Sequence, residues 1–399
     1  MNRKIIYRVL IVGLVVLGCT ERFELKTETF EDRLVIEATI TNEVMSQEIK
    51  ISRTHVLEST EPNYEHGATV KIEDSNQNTY SFTDEGDGLY VSTIPFMAEA
   101  GVSYKLFVET LDGRKFESSQ EQLVPLATID NLYAELIDVD GVSGIQVLAD
   151  TNENLGEAQF FRYEYEETYK IVAPFYTSYD ALITNLVVSP SLSYDIELVP
   201  RPQEQKICYS THNSEEILLD NVNGLAASAL KKVPIRFIPI EDPILRDRYS
   251  ILVKQYVQSA NAYNFYKILR DLGSDGSIFL DNQPGFIQGN IVSSLYENDN
   301  AIGFFDVSSV SSKRIYFNYL DFGIDKPPYF YDCEVILWDY LNTGPEINER
   351  YYLYQNLTFD DYIYASVAGY EESVYGLTTP HCGNCTTFSS GKKPEFWED

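Results

Sequence analysis

The stretch that decides the fold is Leu34-Val-Ile-Glu-Ala-Thr-Ile40. The even-numbered residues from Leu34 to Ile40 are all apolar, so they would share one face of an extended chain. Successive side chains of a β-strand point to opposite faces of its sheet, and this period of two predicts a strand with one buried face. A helix would instead need apolar residues three and four positions apart.

The same pattern continues beyond this strand as short extended segments separated by turn signals. Asp112-Gly113, for example, is a preferred two-residue hairpin turn between the segments Tyr104–Val108 and Arg114–Phe116. About six or seven such strands, spaced roughly 8–12 residues apart and ending near Pro125, are typical of a β-sandwich. We therefore predict an immunoglobulin-like β-sandwich over residues 31–125.

Residues 126–399 keep the β pattern but have longer loops, which predicts a second, larger domain rich in strands. We expect strands at Phe160–Glu166, at Tyr249–Tyr256 and at Tyr351–Tyr354. The segment Val233–Pro239 is predicted to be an edge strand, because its prolines cannot donate hydrogen bonds to a sheet.

One helix is predicted in the second half of the chain. It would begin after a Ser259 cap, carry its apolar residues at helical spacing, and end at Gly273 in a left-handed conformation. The predicted fold class is mainly β: an N-terminal immunoglobulin-like β-sandwich followed by a larger mostly-β domain with one or a few packed helices.

Residues 1–18 have the features of a bacterial lipoprotein signal peptide. Three early cations and a short apolar run precede Gly18, and Cys19 follows at the position where diacylglycerol would be attached. The apolar run is shorter than the roughly 20 residues that a membrane-spanning helix needs. We predict cleavage before a lipidated Cys19 and a tether over residues 19–30; an uncleaved anchor is the alternative.

The charge balance excludes two classes of partner. The chain carries 61 acidic residues against 30 Lys and Arg, and removing the signal peptide takes away three more cations. A strongly negative body repels nucleic acid and anionic lipid head groups, so neither is an expected partner and membrane contact would come through the lipid anchor only. The acids are spread along the chain and 44% of residues are apolar, which indicates a folded body.

The cysteines that remain after lipidation are Cys208, Cys333, Cys382 and Cys385. An even number in an exported protein predicts two disulfide bonds, and three pairings are open. We expect at least one cysteine of the C-x-x-C pair to bond to Cys208 or Cys333 and so fasten the C-terminal tail. A redox pair, or a metal half-site completed by His381, is the alternative.

The sequence carries few signs of chemistry. Asp150–Gly156 and Asp84–Gly88 resemble calcium loops only in part, because the glycine and the final glutamate of such a loop are misplaced. Gly289-Asn290 predicts either a strained turn or a ligand loop. The four histidines lie far apart, and no nucleophile elbow, phosphate loop or zinc motif is present in the sequence. We predict no catalytic residues, no metal site and no cofactor, and the sequence leaves any ligand-binding residues unknown.

Short motifs along the whole mature chain together resemble one known family. They are Cys19, Leu34-Val-Ile-Glu37, Gly67-Ala68, Gly88-Leu-Tyr90, Tyr104-Lys-Leu106, Asp112-Gly113, Arg248-Tyr249, Ala262-Tyr263, Gly276-Ser-Ile-Phe279, Gly289-Asn290-Ile291, Gly303-Phe-Phe305, Cys382-x-x-Cys385 and Lys393-Pro394-x-Phe396-Trp397. The chain resembles the Bacteroidota lipoproteins of domain of unknown function 4249. The resemblance implies an outer-membrane lipoprotein with two β domains, often encoded beside TonB-dependent transporters, and it implies no catalytic residues.

Three functional hypotheses follow. The first is a non-enzymatic outer-membrane lipoprotein, facing the cell surface, that helps a TonB-dependent transporter capture its substrate. The second is a structural or adhesive surface lipoprotein without a role in transport. A secreted hydrolase comes third, because so many acidic residues produce accidental carboxylate pairs that carry no weight as signs of catalysis.

Overall fold

A computed structural model describes residues 32–54, 63–152, 159–201, 204–222, 229–274, 289–296, 299, 301–359, 362–365 and 372–399. Strands make up 50% and helices 12% of the structure, which confirms the mainly β prediction. No helix in the described ranges is both long and apolar enough to cross a membrane.

The strands of the N-terminal body follow the alternation that the sequence predicts. In the first of them, Leu34, Ile36 and Ala38 are almost fully buried, whereas Glu37 is exposed. The strands are β1 (Leu34–Thr41), β2 (Glu48–Arg53), β3 (Asn63–Tyr64), β4 (Thr69–Asp74), β5 (Thr79–Gly86), β6 (Leu89–Ser92), β7 (Ser103–Glu109), β8 (Lys115–Ser118) and β9 (Glu121–Gln122).

These strands are neighbours in the order β1-β2-β6-β5-β4-β7-β8, with β3 beside β2 and β9 beside β7. Buried side chains from β1, β4, β7 and β8 meet in one apolar cluster. A flat sheet would not bring the faces of its distant strands together, so this sheet curls over a shared core as in a sandwich.

The remaining strands, most of which belong to the second body, include the longest of the described strands. They are β10 (Ile129–Val139), β11 (Val142–Thr151), β12 (Phe160–Val172), β13 (Tyr179–Val187), β14 (Ser193–Pro200), β15 (Ile207–Asn213), β16 (Leu218–Asn221), β17 (Val233–Pro239), β18 (Tyr249–Gln258), β19 (Ile291–Ser293), β20 (Ile302–Phe317), β21 (Ile336–Asp339), β22 (Ile363–Ala365) and β23 (Val374–Thr378). The sheet β10-β11-β17 packs on β12 and β18 through a second apolar cluster. As predicted, β17 lies at a sheet edge.

One strand, β20, joins the two bodies. Its first half pairs in parallel with β1, from Val35 opposite Ile302 to Thr41 opposite Ser308. Its second half pairs antiparallel with β18. In addition, β19 pairs with β8, so residues after the helix return to the N-terminal body. The predicted range 31–125 therefore supplies most of that body's strands, and residues 291–308 supply the rest.

The helices are α1 (Ala260–Ser274), α2 (Glu349–Thr358) and α3 (Pro380–Gly383), together with short 3₁₀ turns at Pro243–Leu245, Tyr319–Phe322 and Cys385–Thr387. Ser259 caps α1 as predicted, since its Oγ accepts a hydrogen bond from the amide of Ala262 at 3.2 Å. The helix continues through Gly273, which does not terminate it in a left-handed conformation.

The predicted strand Tyr351–Tyr354 is wrong, because these residues lie inside α2. The aromatic content favoured a strand, but a local cap decides otherwise. The side chain of Asn348 accepts a hydrogen bond from the amide of Tyr351 at 3.0 Å. Such a cap satisfies a free amide at the start of a helix and fixes where the helix begins.

Candidate functional site

The predicted lipidation site cannot be followed in the structure. Cys19, the signal peptide and the tether fall within residues 1–31, outside the described ranges. Lipidation therefore stays a prediction from the sequence.

The four remaining cysteines form two disulfide bonds, Cys208–Cys385 and Cys333–Cys382. Each cysteine of the C-x-x-C pair bonds to a distant partner, which confirms the predicted disulfides and fastens the tail. His381 instead packs against the ring of Tyr331, with the ring centres 4.0 Å apart. Within the described residues, no group of three or more His, Cys, Asp or Glu is arranged to hold a metal ion.

The tail beyond Cys385 packs on β15 and on the second half of β20. The amide of Tyr209 donates a hydrogen bond to the carbonyl of Ser390 at 2.8 Å. Trp397 is 5% exposed and lies against Tyr209, with ring centres 5.0 Å apart. The guanidinium of Arg314 lies 3.7 Å from the centre of the Phe396 ring. These contacts make the tail part of the fold.

The first carboxylate of each acidic turn, Asp84 or Asp150, accepts hydrogen bonds from backbone amides. Asp84 accepts hydrogen bonds from the amides of Gly67 at 2.8 Å and Gly86 at 2.9 Å, and these bonds lower the pKa of its carboxyl. Asp150 accepts one from the amide of Lys232 at 2.8 Å. Residues 153–158 of the second turn lie outside the described ranges. The carboxylates of Asp84 and Asp150 therefore have structural roles.

Gly289 and Asn290 also hold the fold together. A Cβ on Gly289 would overlap the carbonyl oxygen of Gly303, so glycine is needed for close approach of two backbones. Asn290 donates to the carbonyl of Phe305 at 2.9 Å and accepts from the Phe305 amide at 2.7 Å. In place of the predicted strained turn, Gly289 and Asn290 hold the segment before β19 against the backbone of β20 at Gly303 and Phe305. We call this contact the clamp.

A cleft of about 690 Å³ lies where the two bodies meet. Its sheet side is formed by residues of β1, β2, β12, β18 and β20, and α1 adds Phe265, Tyr266 and Leu269. Small-molecule sites have volumes of roughly 300–1,000 Å³, so the cleft has room for a ligand. We call it the junction cleft.

Arg162 lies at the base of the junction cleft and is 7% exposed. Its guanidinium lies between two aromatic rings, 4.4 Å from the centre of Tyr256 and 4.7 Å from that of Tyr266. It also forms an ion pair with Glu164. Burial alone would lower the pKa of Arg162, but Tyr266 and Glu164 outweigh it and leave the pKa raised. Arg162 therefore remains a cation.

Asp306 lies close to Arg162 in a buried position and is 1% exposed. Gln258 donates a hydrogen bond to its Oδ2 at 2.8 Å, and the Ser308 hydroxyl donates another at 2.7 Å. Burial nevertheless raises the pKa of the Asp306 carboxyl, and the positive charge of Arg162 opposes this effect only in part. These hydrogen bonds form a buried polar network that links β18 and β20 near Arg162.

The mouth of the junction cleft is acidic. Its lining includes six glutamates, whereas its cations are the buried Arg162 and the two lysines Lys50 and Lys254. An excess of one charge sign in a concave surface raises the local concentration of oppositely charged solutes. A lining of this composition would attract cationic solutes more than anionic ones.

The buried carboxyl gives a pH-dependent prediction. Because burial raises the pKa of Asp306, the folded protein holds a proton that the unfolded chain has released. The stabilising contribution of the Asp306 carboxyl is complete below the pKa that this group has in the unfolded chain. It is lost as the pH rises through the higher pKa that the group has in the folded protein.

We expect the free energy of unfolding of wild type minus that of Asp306→Asn to fall as the pH rises above the ordinary aspartate pKa of 3.8, measured by urea unfolding. Glu85→Gln, which removes an exposed acid of β5 away from the junction cleft, is the control. A difference between wild type and Asp306→Asn that rises over the same range would contradict the assignment.

The sequence prediction missed Arg162, which lines the junction cleft, and Asp306, which is buried near it. Arg162 lies inside a strongly aromatic stretch, and Asp306 interrupts the apolar run Gly303-Phe-Phe305. A charge within an apolar strand was the signal that could have marked both, because unpaired charges are rarely buried. Their closeness in the fold depends on strand pairings between segments that lie far apart along the chain.

One family model matches most of the chain. The model of the family described as domain of unknown function (DUF4249) matches residues 20–314. The chain belongs to this family. The matched range includes β1, β12, β18 and most of β20, and so it contains most residues of the junction cleft. No curated protein matches the chain.

Proposed function

We propose that this DUF4249 protein is a Bacteroidota outer-membrane lipoprotein, facing the cell surface, that helps a TonB-dependent transporter capture its substrate. The observation that carries the proposal is the junction cleft, which is large enough for a ligand and lined by both bodies. Its acidic mouth favours substrates with amines or other donors. A tethered body meets a membrane partner at high effective concentration, so a weak contact between them would suffice.

The direct test is isolation of the lipidated protein from gently solubilised outer membrane. Recovery of a TonB-dependent barrel in near-stoichiometric yield would support the proposal. Recovery of the lipoprotein alone would favour a structural or adhesive role. Under that role, cells that lack the protein should lose adhesion but keep nutrient uptake. Hydrolysis of glycans or peptides by the pure protein would favour the secreted hydrolase.

A second test addresses the cleft. Glu37→Arg reverses one charge at its lining, and Glu85→Arg reverses an exposed acid in β5, away from the cleft. We expect substrate uptake to fall in the first variant and to equal wild type in the second, with the barrel recovered equally from both. Equal uptake by the two variants would argue against substrate capture in the cleft.

Lipidation gives a separate prediction. Cys19→Ala removes the thiol that would accept diacylglycerol, so we expect the variant to leave the membrane fraction or to accumulate with an uncleaved signal. Fractionation and immunoblotting measure both outcomes. Thr20→Ser, a conservative change beside the acceptor cysteine that keeps its thiol, is the control. Wild-type size and outer-membrane level in the Cys19 variant would refute the anchor.

A further inference from the structure

The start of the described chain marks the end of the N-terminal body that lies nearest to the predicted lipid anchor. Twelve residues, 20–31, separate Cys19 from Asp32. An extended chain covers at most about 3.5 Å per residue, so Asp32 would stay within roughly 45 Å of the membrane surface. Val44, which follows β1, lies about 25 Å further on, because β1 has eight residues. Of the two ends of β1, the Asp32 end is therefore the one that the tether holds closer to lipid.

Two turns of the N-terminal body lie at this end. The turn Thr110–Arg114 connects β7 to β8, and the Arg114 side chain donates a hydrogen bond to the carbonyl of Asp32 at 3.3 Å. The second turn follows β19, and the amide of Ser294 donates to the carbonyl of Lys115 at 2.9 Å. Both turns and the start of the described chain therefore form one surface.

This surface carries three large apolar side chains that are exposed. Leu111 lies in the first turn and is 78% exposed, whereas Leu295 and Tyr296 lie in the second and are 52% and 63% exposed. We call these three residues the anchor-side patch. The amide of Tyr296 donates to the hydroxyl oxygen of Ser293 at 3.1 Å, which fixes the second turn. Leucine and tyrosine are side chains that proteins place in the interfacial layer of a bilayer, so the patch has the composition of a lipid-contacting surface.

The local charge does not oppose contact with lipid, although the chain as a whole is strongly acidic. Arg114 forms ion pairs with Asp112 at 3.1 Å and with Asp299 at 3.7 Å, and Arg53 forms one with Asp32 at 2.9 Å. The charged side chains that interact at this end are Arg33, Arg53, Arg114 and Lys115, with Asp32, Glu65, Glu109, Asp112 and Asp299. Four cations against five acids leave a charge of −1, whereas the whole chain carries −31. A surface so nearly balanced is not repelled by zwitterionic head groups.

We infer that the anchor-side patch rests in the interfacial layer of the outer membrane, in the lipid that would hold the acyl chains of Cys19. The inference rests on the lipid anchor of the proposed function and does not need the transporter. The tether keeps the patch at a high effective concentration near lipid, so a contact made by three side chains is sufficient. Membrane contact through the anchor alone would then describe the acidic remainder of the body and not this end.

The test measures whether each end of β1 enters lipid. Leu111→Cys, Leu295→Cys and Val44→Cys each add the only free thiol of the mature protein, because Cys19 would be acylated and the other four cysteines are disulfide-bonded. A nitroxide label on that thiol reports collisions with oxygen, which concentrates in lipid, and with a water-soluble nickel chelate. In vesicles of phosphatidylethanolamine and phosphatidylcholine, we expect the ratio of oxygen to nickel collisions to be roughly fivefold higher at positions 111 and 295 than at Val44, which is 71% exposed.

A matched pair of charge substitutions checks that the apolar side chains make the contact. Leu111→Glu, with the label at position 295, should lower the ratio to the value at Val44, because a carboxylate is costly to bury in lipid. Val44→Glu with the same label should leave the ratio unchanged. Each variant should unfold thermally as wild type does, because all the substituted residues are exposed.

The outcomes separate this surface from the proposed function. Water-like ratios at positions 111 and 295, the result expected if a protein covers this end, would overturn the surface, and so would a lipid-like ratio at position 44. Lipid contact at the patch in vesicles, together with failure to recover a barrel from the outer membrane, would support the surface and overturn the role in transport. A protein that does not join the vesicles because Cys19 carries no acyl chain would overturn both.

Discussion

Removal of the Cys208–Cys385 bond should destabilise the protein by about 5 kcal/mol, because the bond closes a loop across 177 positions of the chain. A crosslink of this length restricts the unfolded chain strongly and leaves the folded one almost unchanged. The Cys333–Cys382 bond spans 49 positions and should contribute about 4 kcal/mol by the same argument.

The measurement compares Cys208→Ala/Cys385→Ala with Cys333→Ala/Cys382→Ala by urea unfolding and by limited proteolysis. Changing both cysteines of a pair avoids a free thiol. We expect the first pair to lower the unfolding midpoint further and to open the tail around Trp397 to protease, since the bond lies where the tail meets β15. An unchanged midpoint together with an intact tail would show that the aromatic contacts alone hold the tail.

Local patterns were sufficient for the parts of the fold that depend on neighbouring residues. The alternation in Leu34–Ile40 gave β1, the spacing after Ser259 gave α1, and the prolines of Val233–Pro239 gave an edge strand. The exception was Tyr351–Tyr354, where aromatic content suggested a strand and the Asn348 cap fixed a helix. Side-chain preferences for strands are weak and depend on context, and a well-placed cap overrides them.

Long-range pairing could not be read from the sequence. Val35 lies opposite Ile302, and no local pattern connects segments so far apart. Parallel pairing of this kind requires closure of a very long loop, and its partners are chosen by the buried faces of the completed sheet. The junction cleft has the same origin, because its lining residues on β1, β12, β18 and β20 come together only after these strands have assembled.

A second large effect is expected at Gly303, at the point where β20 begins to pair with β1. Its φ is 148°, and a Cβ there would overlap the carbonyl oxygen of Ile36. The same glycine presents its own carbonyl to Gly289, where a Cβ would overlap as well. Three backbone segments therefore meet at a distance that only glycine allows.

Gly303→Ala should cost about 4 kcal/mol or more, because the added methyl meets backbone and only separation of β1 from β20 relieves the overlap. Urea unfolding and soluble yield measure the loss. Gly273→Ala is the control: it lies in α1 with open space around it and should stabilise by up to about 1 kcal/mol.

Gly289→Ala tests whether the clamp acts as a unit. It should destabilise to a similar degree, and the double variant Gly289→Ala/Gly303→Ala should lose less than the sum of the two, since both substitutions disrupt the same junction. Strict additivity would indicate two independent contacts. In that case, the junction of the two bodies would not depend on the shared approach of β1, β20 and the segment before β19.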